Sequence, residues 1–168
     1  MAAREENEIL DKITSEFKIK GEVRRNSRIW LDAPREGFVD FCMWLREQGF
    51  QHLSAISAVD WPDDGVFELA YHLWSYRDKV LITAKINVDR QNPVIDSLTS
   101  VWDGNAQAHE REIHELFGIK FEGNANLTPL FLEDWEGPPP FRKDFDWREY
   151  VGEKYYDRQN EREQVYYD

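Results

Sequence analysis

The chain has one cysteine, Cys42, among 168 residues. A single thiol cannot close a disulfide within the chain. Nor can it supply the several thiolates of an iron–sulfur cluster, and a reducing compartment is the expected setting. Basic charge is also scarce. Lys and Arg number 21 against 33 Asp and Glu, a net charge of −12. Nucleic-acid binding, which draws its affinity from Lys and Arg on phosphates, is therefore disfavoured. Direct contact with anionic lipid is disfavoured for the same reason. No apolar run approaches the ~18–20 residues of a membrane-spanning helix. The first residues, Met1-Ala2-Ala3-Arg4-Glu5-Glu6, lead into acids rather than an apolar stretch, so no secretory signal is expected. A dinucleotide glycine fingerprint, a phosphate-binding loop, a nucleophile elbow and a paired-cysteine motif are all missing.

What is present reads as one domain with an appendage. Ile9, Leu10, Ile13 and Phe17 fall at helical spacing. Phe17, Ile19 and Val23 then alternate with charged residues, and Asn26-Ser27 turns the chain into a second short strand over residues 28–32. Asp32-Ala33-Pro34 supplies start signals for a helix carrying Phe38, Phe41, Cys42 and Leu45 on one face. Gly49 closes it. Three strands follow over residues 53–60, 66–76 and 80–88, an antiparallel meander. Asn92 and Pro93 are placed as N-cap and first residue of a short helix reaching Thr99. Asp103 is the expected cap of a longer helix whose buried stripe is Trp102, Ala106, His109, Ile113, Leu116 and Phe117, with Gly118 as its stop. Ile119 to Phe121 reads as an edge strand. The expected fold is α+β: an antiparallel or mixed sheet packed with two to three helices over residues 1–123, then an extended, proline- and aromatic-rich arm over 124–168.

The arm is the unusual part. Four of the seven prolines lie between Pro129 and Pro140. Proline offers no backbone donor, so neither helix nor sheet centre is expected there. Yet Leu127, Leu130, Phe131, Leu132, Trp135, Phe141 and Phe145 are too apolar for a free linker. Either the arm packs on its own domain or it lies on another protein. The proline run should hold it extended, which favours the second.

Candidate chemistry is thin. His109 and His114 are five residues apart, about 140° around a helix, so they cannot both face one ion as a zincin pair does. Glu110, Glu112 and Glu115 could be read as an acid–base cluster, but Arg111 beside them suits an i, i+4 ion pair with Glu115. Cys42 sits on an apolar stripe and reads as a buried, inert thiol. Arg142-Lys143-Asp144, between Phe141 and Phe145, reads either as a solvated turn or as an Arg held for carboxylate recognition across an interface.

Several segments together resemble a known family. They are Glu110-Arg111-Glu112, then 116–123 (Leu-Phe-Gly-Ile-Lys-Phe-Glu-Gly), Leu127 and Leu130, 133–137 (Glu-Asp-Trp-Glu-Gly), and Pro140-Phe141-Arg142-Lys143-Asp144-Phe145. Their type and order are similar to the 30-kDa subunit of respiratory NADH dehydrogenase, complex I, and to its counterparts in membrane-bound hydrogenases and ferredoxin-linked complexes. The sequence departs from the usual pattern at Glu115, at Asn124-Ala125, at Thr128-Pro129 and at Phe141. These departures tilt the reading toward the hydrogenase or ferredoxin-linked branch, with a quinone-reducing complex I as the alternative.

The resemblance implies a scaffold subunit of a peripheral arm that binds no cofactor itself. Iron–sulfur clusters and a nickel–iron or quinone site would sit in partner subunits. Those partners would be the large catalytic subunit and a neighbouring iron–sulfur subunit. The chain would lie on the cytoplasmic side of the cell membrane, held through them without inserting. Glu110, Arg111, Glu112, Gly118, Phe121, Trp135, Pro140, Phe141, Arg142, Lys143, Asp144 and Phe145 would be structural or interface residues. Arg111 is expected on carboxylates, within this chain or across an interface, and Glu112 on an Arg or on backbone donors. Two other classes stay open on residues alone: an independent enzyme built on the three glutamates, and a stand-alone acidic adaptor.

Overall fold

A computed structural model describes residues 4–156. Residues 1–3 and the end of the arm, 157–168, lie outside the described residues. Helix α1 spans Glu6–Phe17 and is followed by the hairpin β1 (Gly21–Arg25) and β2 (Arg28–Asp32). Helix α2 (Phe38–Glu47) leads to β3 (His52–Trp61), β4 (Val66–Ser75) and β5 (Val80–Asp89). Short strands β6 (Val94–Asp96) and β7 (Lys120–Glu122) flank α3 (Asp103–Phe117), and a short α4 covers Trp147–Val151. No helix among the described residues is long and apolar enough to cross a membrane.

The main sheet has the order β1-β2-β5-β4-β3. The meander β3-β4-β5 is antiparallel as expected, and β2 joins it parallel to β5. The sheet is therefore mixed. Period-2 alternation sends Phe67, Leu69, Tyr71 and Leu73 of β4, with Ile82, Ala84, Ile86 and Val88 of β5, into the core beneath the helices. Trp30, His72 and Trp74 lie on the opposite, half-buried face. Phe17 of α1 meets Phe41 and Trp44 of α2 edge-on, and Phe38 packs against Tyr71. Each such apolar side chain, once buried, contributes about 1.5–3 kcal/mol.

Several local expectations are corrected. Phe17 ends α1, and β1 starts only at Gly21. The second helix begins at Phe38 rather than near Pro34, because Ala33 N–H donates to Lys85 O (2.7 Å) and prolongs the strand first. Residues 92–99 are not a helix. Val94–Asp96 pairs in parallel with Lys120–Glu122. Lys120 N–H donates to Pro93 O and Ser97 N–H to Glu122 O, so partners distant in sequence override the local Asn-Pro start signal. Asp103 is the first residue of α3, and Trp102 holds the cap position without a side-chain bond.

Candidate protein interface on helix α3 and the arm

Helix α3 presents three glutamates and one arginine in different directions. Glu110 is fully buried. Its carboxylate accepts from Ser97 Oγ (2.7 Å), Leu98 N–H (2.7 Å) and Asn124 Nδ2 (2.8 Å). Burial pushes its pKa up, and these three donors only partly offset that. Glu110 thus ties α3 to the exit of β6 and to the root of the arm.

Arg111 and Glu115, one turn apart, do not pair with each other. Arg111 donates to the carbonyls of Thr128 (3.0 Å) and Pro129 (2.8 Å). Glu115 accepts the N–H groups of Leu130, Phe131 and Leu132 at 2.7–3.2 Å. The cation takes the carbonyls and the carboxylate takes the amides of one irregular stretch. That is the physical reason the ion pair does not form and why, within this chain, Arg111 meets carbonyls rather than carboxylates. A proline-rich segment in no ladder leaves its backbone groups to be satisfied by side chains. Glu112 lies 3.9 Å from His109 Nδ1 rather than on an Arg or backbone donors. His114 Nδ1 is 2.9 Å from Ile119 O. The three glutamates are not brought together as an acid–base site. Among the described residues, no group of three His, Cys, Asp or Glu could hold a metal ion.

The C-terminus of α3 is closed by the arm itself. Gly118 adopts φ +78° and its N–H donates to His114 O (2.9 Å). A side chain would be strained at that φ, and its Cβ would stand a tight 3.0 Å from the ring of Pro139, so both the backbone and the arm favour glycine. Phe141 N–H donates to Leu116 O (2.9 Å), and its ring meets Phe117 edge-on at 5.7 Å. Phe121 is buried on β7.

Beyond Pro129 the arm folds on itself more than a straight extended chain would. Trp135 Nε1 donates to Pro138 O (2.8 Å). Its ring packs with Phe145 and Tyr150 at 5.9 and 5.1 Å. Gly137 fits beneath this cluster, where a Cβ would come within 2.7 Å of Trp135. Pro140 precedes a tight turn in which Phe145 N–H donates to Arg142 O (3.1 Å). Between the arm and α3 lies a cavity of about 310 Å³ lined by Leu127, Pro129, Leu132, Trp135 and Pro139.

Arg142, Lys143 and Asp144 face their own domain. Arg142 stands 5.4 Å over the Phe67 ring, and Lys143 Nζ stands 5.1 Å over Trp61. Asp144 pairs with Arg90 at 2.7 Å. Arg90 also grips Asp60 through two bonds of 2.7 and 3.0 Å. The Arg90 guanidinium holds the carboxyls of Asp60 and Asp144 below the usual range. Sequence reasoning missed Asp60 and Arg90. The available signal was weak: Asp60 is the one acid in a strand made, apart from His52, of apolar and small residues. Large apolar surface still remains on the outside. Phe131, Phe141 and Trp147 are 64%, 58% and 55% exposed.

Comparison with known proteins agrees with this architecture. Residues 31–151 match the family model of the respiratory-chain NADH dehydrogenase 30-kDa subunit. The chain is 39% identical over 116 residues to an NADH-quinone oxidoreductase subunit of Moorella thermoacetica, covering 68% of this chain and 78% of that one. It is 36% identical over 134 residues to an F420H2 dehydrogenase subunit of Methanosarcina mazei, covering 79% and 82%. Among solved structures, a chain of the membrane-bound sulfane sulfur reductase, an archaeal respiratory membrane complex, superposes with a TM-score of 0.82 at 34% identity, covering 89% of this chain and 91% of that one. The protein belongs to the 30-kDa subunit family of the respiratory-chain NADH dehydrogenase.

Proposed function

We propose that the chain is a scaffold subunit, without a cofactor of its own, of the peripheral arm of a membrane-bound, ion-pumping electron-transfer complex. Its arm docks on the large catalytic subunit, beside an iron–sulfur subunit. The carrying observation is the clasp of Arg111 and Glu115 on residues 128–132. It sets an irregular stretch in one shape and leaves Phe131, with Phe141 and Trp147 further along, turned to the outside. Large aromatic side chains on a preset backbone are the usual anchors of a protein–protein interface. The cavity between the arm and α3 has room for one side chain from a partner.

The chain would sit on the cytoplasmic face of the membrane, held by its neighbours. Redox groups, whether iron–sulfur clusters, a nickel–iron site or a quinone site, would belong to those neighbours. The hydrogenase or ferredoxin-linked branch is favoured by the departures at Glu115, Asn124-Ala125, Thr128-Pro129 and Phe141. A quinone-reducing complex is the second reading, supported by the 39% identity to the Moorella protein.

The test is purification of the tagged chain from its own membranes in mild detergent, with the co-purifying subunits identified. Recovery with a large catalytic subunit is expected. Nickel in the purified complex would favour the hydrogenase branch, and bound quinone the second. Recovery of the chain alone from the soluble fraction would refute the scaffold reading.

A further inference from the structure

Three consecutive arm residues are bound to one end of the main sheet, well away in sequence from the α3 clasp. Asp60 lies near the end of β3, and its side chain is 1% exposed. Arg90 follows β5 and is fixed through its own N–H, which donates to Gly65 O (3.0 Å). Its Nε donates to Asp60 Oδ1 (2.7 Å), and its Nη2 reaches both Asp60 Oδ2 (3.0 Å) and Asp144 Oδ1 (2.7 Å). Asp60 Oδ2 also accepts the backbone N–H of Lys143 (2.8 Å). Arg142 lies over Phe67, and Lys143 lies over Trp61. One arginine between two carboxylates, one on the sheet and one on the arm, is a bridge rather than a core ion pair.

We infer that Asp60 and Arg90 form a latch that holds arm residues 142–144 on the sheet before any partner arrives, so that the arm, with Lys143 stacked on Trp61, meets the large subunit as a preset edge. The docking half of this inference rests on the function proposed above; the latch itself does not. The physical basis is twofold. A buried carboxylate is stable only when paired, so Asp60 and Arg90 are committed to each other in the sheet whether or not the arm is present. The fixed pair then offers Asp144 an oriented donor and Lys143 an oriented acceptor. Ordering the arm within its own chain lowers what must be ordered on docking. Asp144 is 56% exposed, so this end of the latch opens without disturbing the sheet.

The experiment uses the intact chain as wild type, Asp144→Ala, Asp144→Glu and Arg90→Gln. Amide hydrogen exchange is followed by mass spectrometry over the arm. Assembly is read as the dissociation rate from the co-purified large subunit. Asp144→Ala is expected to leave the melt of the domain within about 2 °C, as an exposed substitution does. It should speed exchange of the Lys143 amide about tenfold and speed dissociation similarly, with Asp144→Glu restoring part of both. Arg90→Gln should free the arm further and also lower the melt. Equal exchange at Lys143 in wild type and Asp144→Ala would overturn the latch. Faster exchange with unchanged dissociation would overturn the preset edge. Failure of the scaffold reading looks different: the wild-type chain would show the protected amide and yet bind no large subunit.

Discussion

Replacing Glu110 tests whether α3 is bolted to the domain through one buried carboxylate. In Glu110→Ala the three donors lose their acceptor, but unequally. Ser97 Oγ keeps Thr99 Oγ1 at 2.8 Å, and Asn124 is partly exposed and turns to water. Leu98 N–H is buried and left orphaned. One orphaned buried donor costs about 1–3 kcal/mol. The one lost methylene adds about 0.8 kcal/mol. The total is about 2–4 kcal/mol, and at 2–4 °C per kcal/mol the melt should fall by roughly 4–16 °C. Circular dichroism of the intact chain at pH 7 reads this directly. Glu110→Gln keeps the shape but turns an amide donor toward Asn124 or Ser97, and should lose less than half as much.

The two variants differ in their response to pH. The folded-state pKa of Glu110 is raised, so proton binding favours the folded form. The penalty of its charge is present above the folded pKa and fades as pH falls through that value toward the unfolded one, about 4.3. Wild type should therefore gain stability relative to Glu110→Gln as pH is lowered from 7 to about 4.5. A fall in melting temperature below about 2 °C for Glu110→Ala, or a wild-type-to-Gln gap that does not move with pH, would refute the reasoning.

Asp78 is buried where Arg4, Arg77 and Ser75 converge on its carboxylate. Burial would raise its pKa, but those donors outweigh it and hold it well below the usual range. Its contribution to stability is present above the unfolded value of about 3.9 and is lost as pH falls toward the folded one, so Asp78→Asn should be less stable at pH 7 and its gap to wild type should narrow below about pH 4. Arg4→Ala removes one of two guanidinium partners and the reach to Gln48 O (2.6 Å), and should lower stability by about 1–3 kcal/mol, measured calorimetrically. Truncation after Gly123 should keep a cooperative melt at lower temperature, because the main core lies before it, and should abolish co-purification with the large subunit. Loss of the melt altogether would place the arm inside the folding unit.

The meander and its core were readable because alternation over β4 and β5 is long and uninterrupted; Phe67 to Leu73 and Ile82 to Val88 leave one register that buries them all. The strand at Val94–Asp96 was not readable. Three residues carry no period, and their partner lies beyond the whole of α3. The arm's composition suggested that it would not stay free in water, yet nothing local reveals that Glu115 would serve three amides instead of Arg111. Apart from the donor that proline lacks, backbone acceptors and donors are the same for every residue type, so a side chain that binds backbone has no sequence partner to be matched with. Asp60 and Arg90 were missed for a related reason: they are thirty residues apart, and strand order alone brings them together.

The parallel pairing of β2 with β5 has a consequence for the order of folding. Arg28 meets Leu81 only after roughly fifty residues of intervening chain have been gathered in, whereas each strand of the β3-β4-β5 meander finds its neighbour across a short turn. Loop-closure entropy therefore places the meander early and the docking of α1, β1 and β2 late. Until that late step, the outer edge of β5 carries open backbone groups along Leu81 to Lys85, the positions that β2 later covers. During synthesis the first thirty-odd residues leave the ribosome before their partner strand exists, so the nascent chain must wait for β5 with its N-terminal helix and hairpin unplaced.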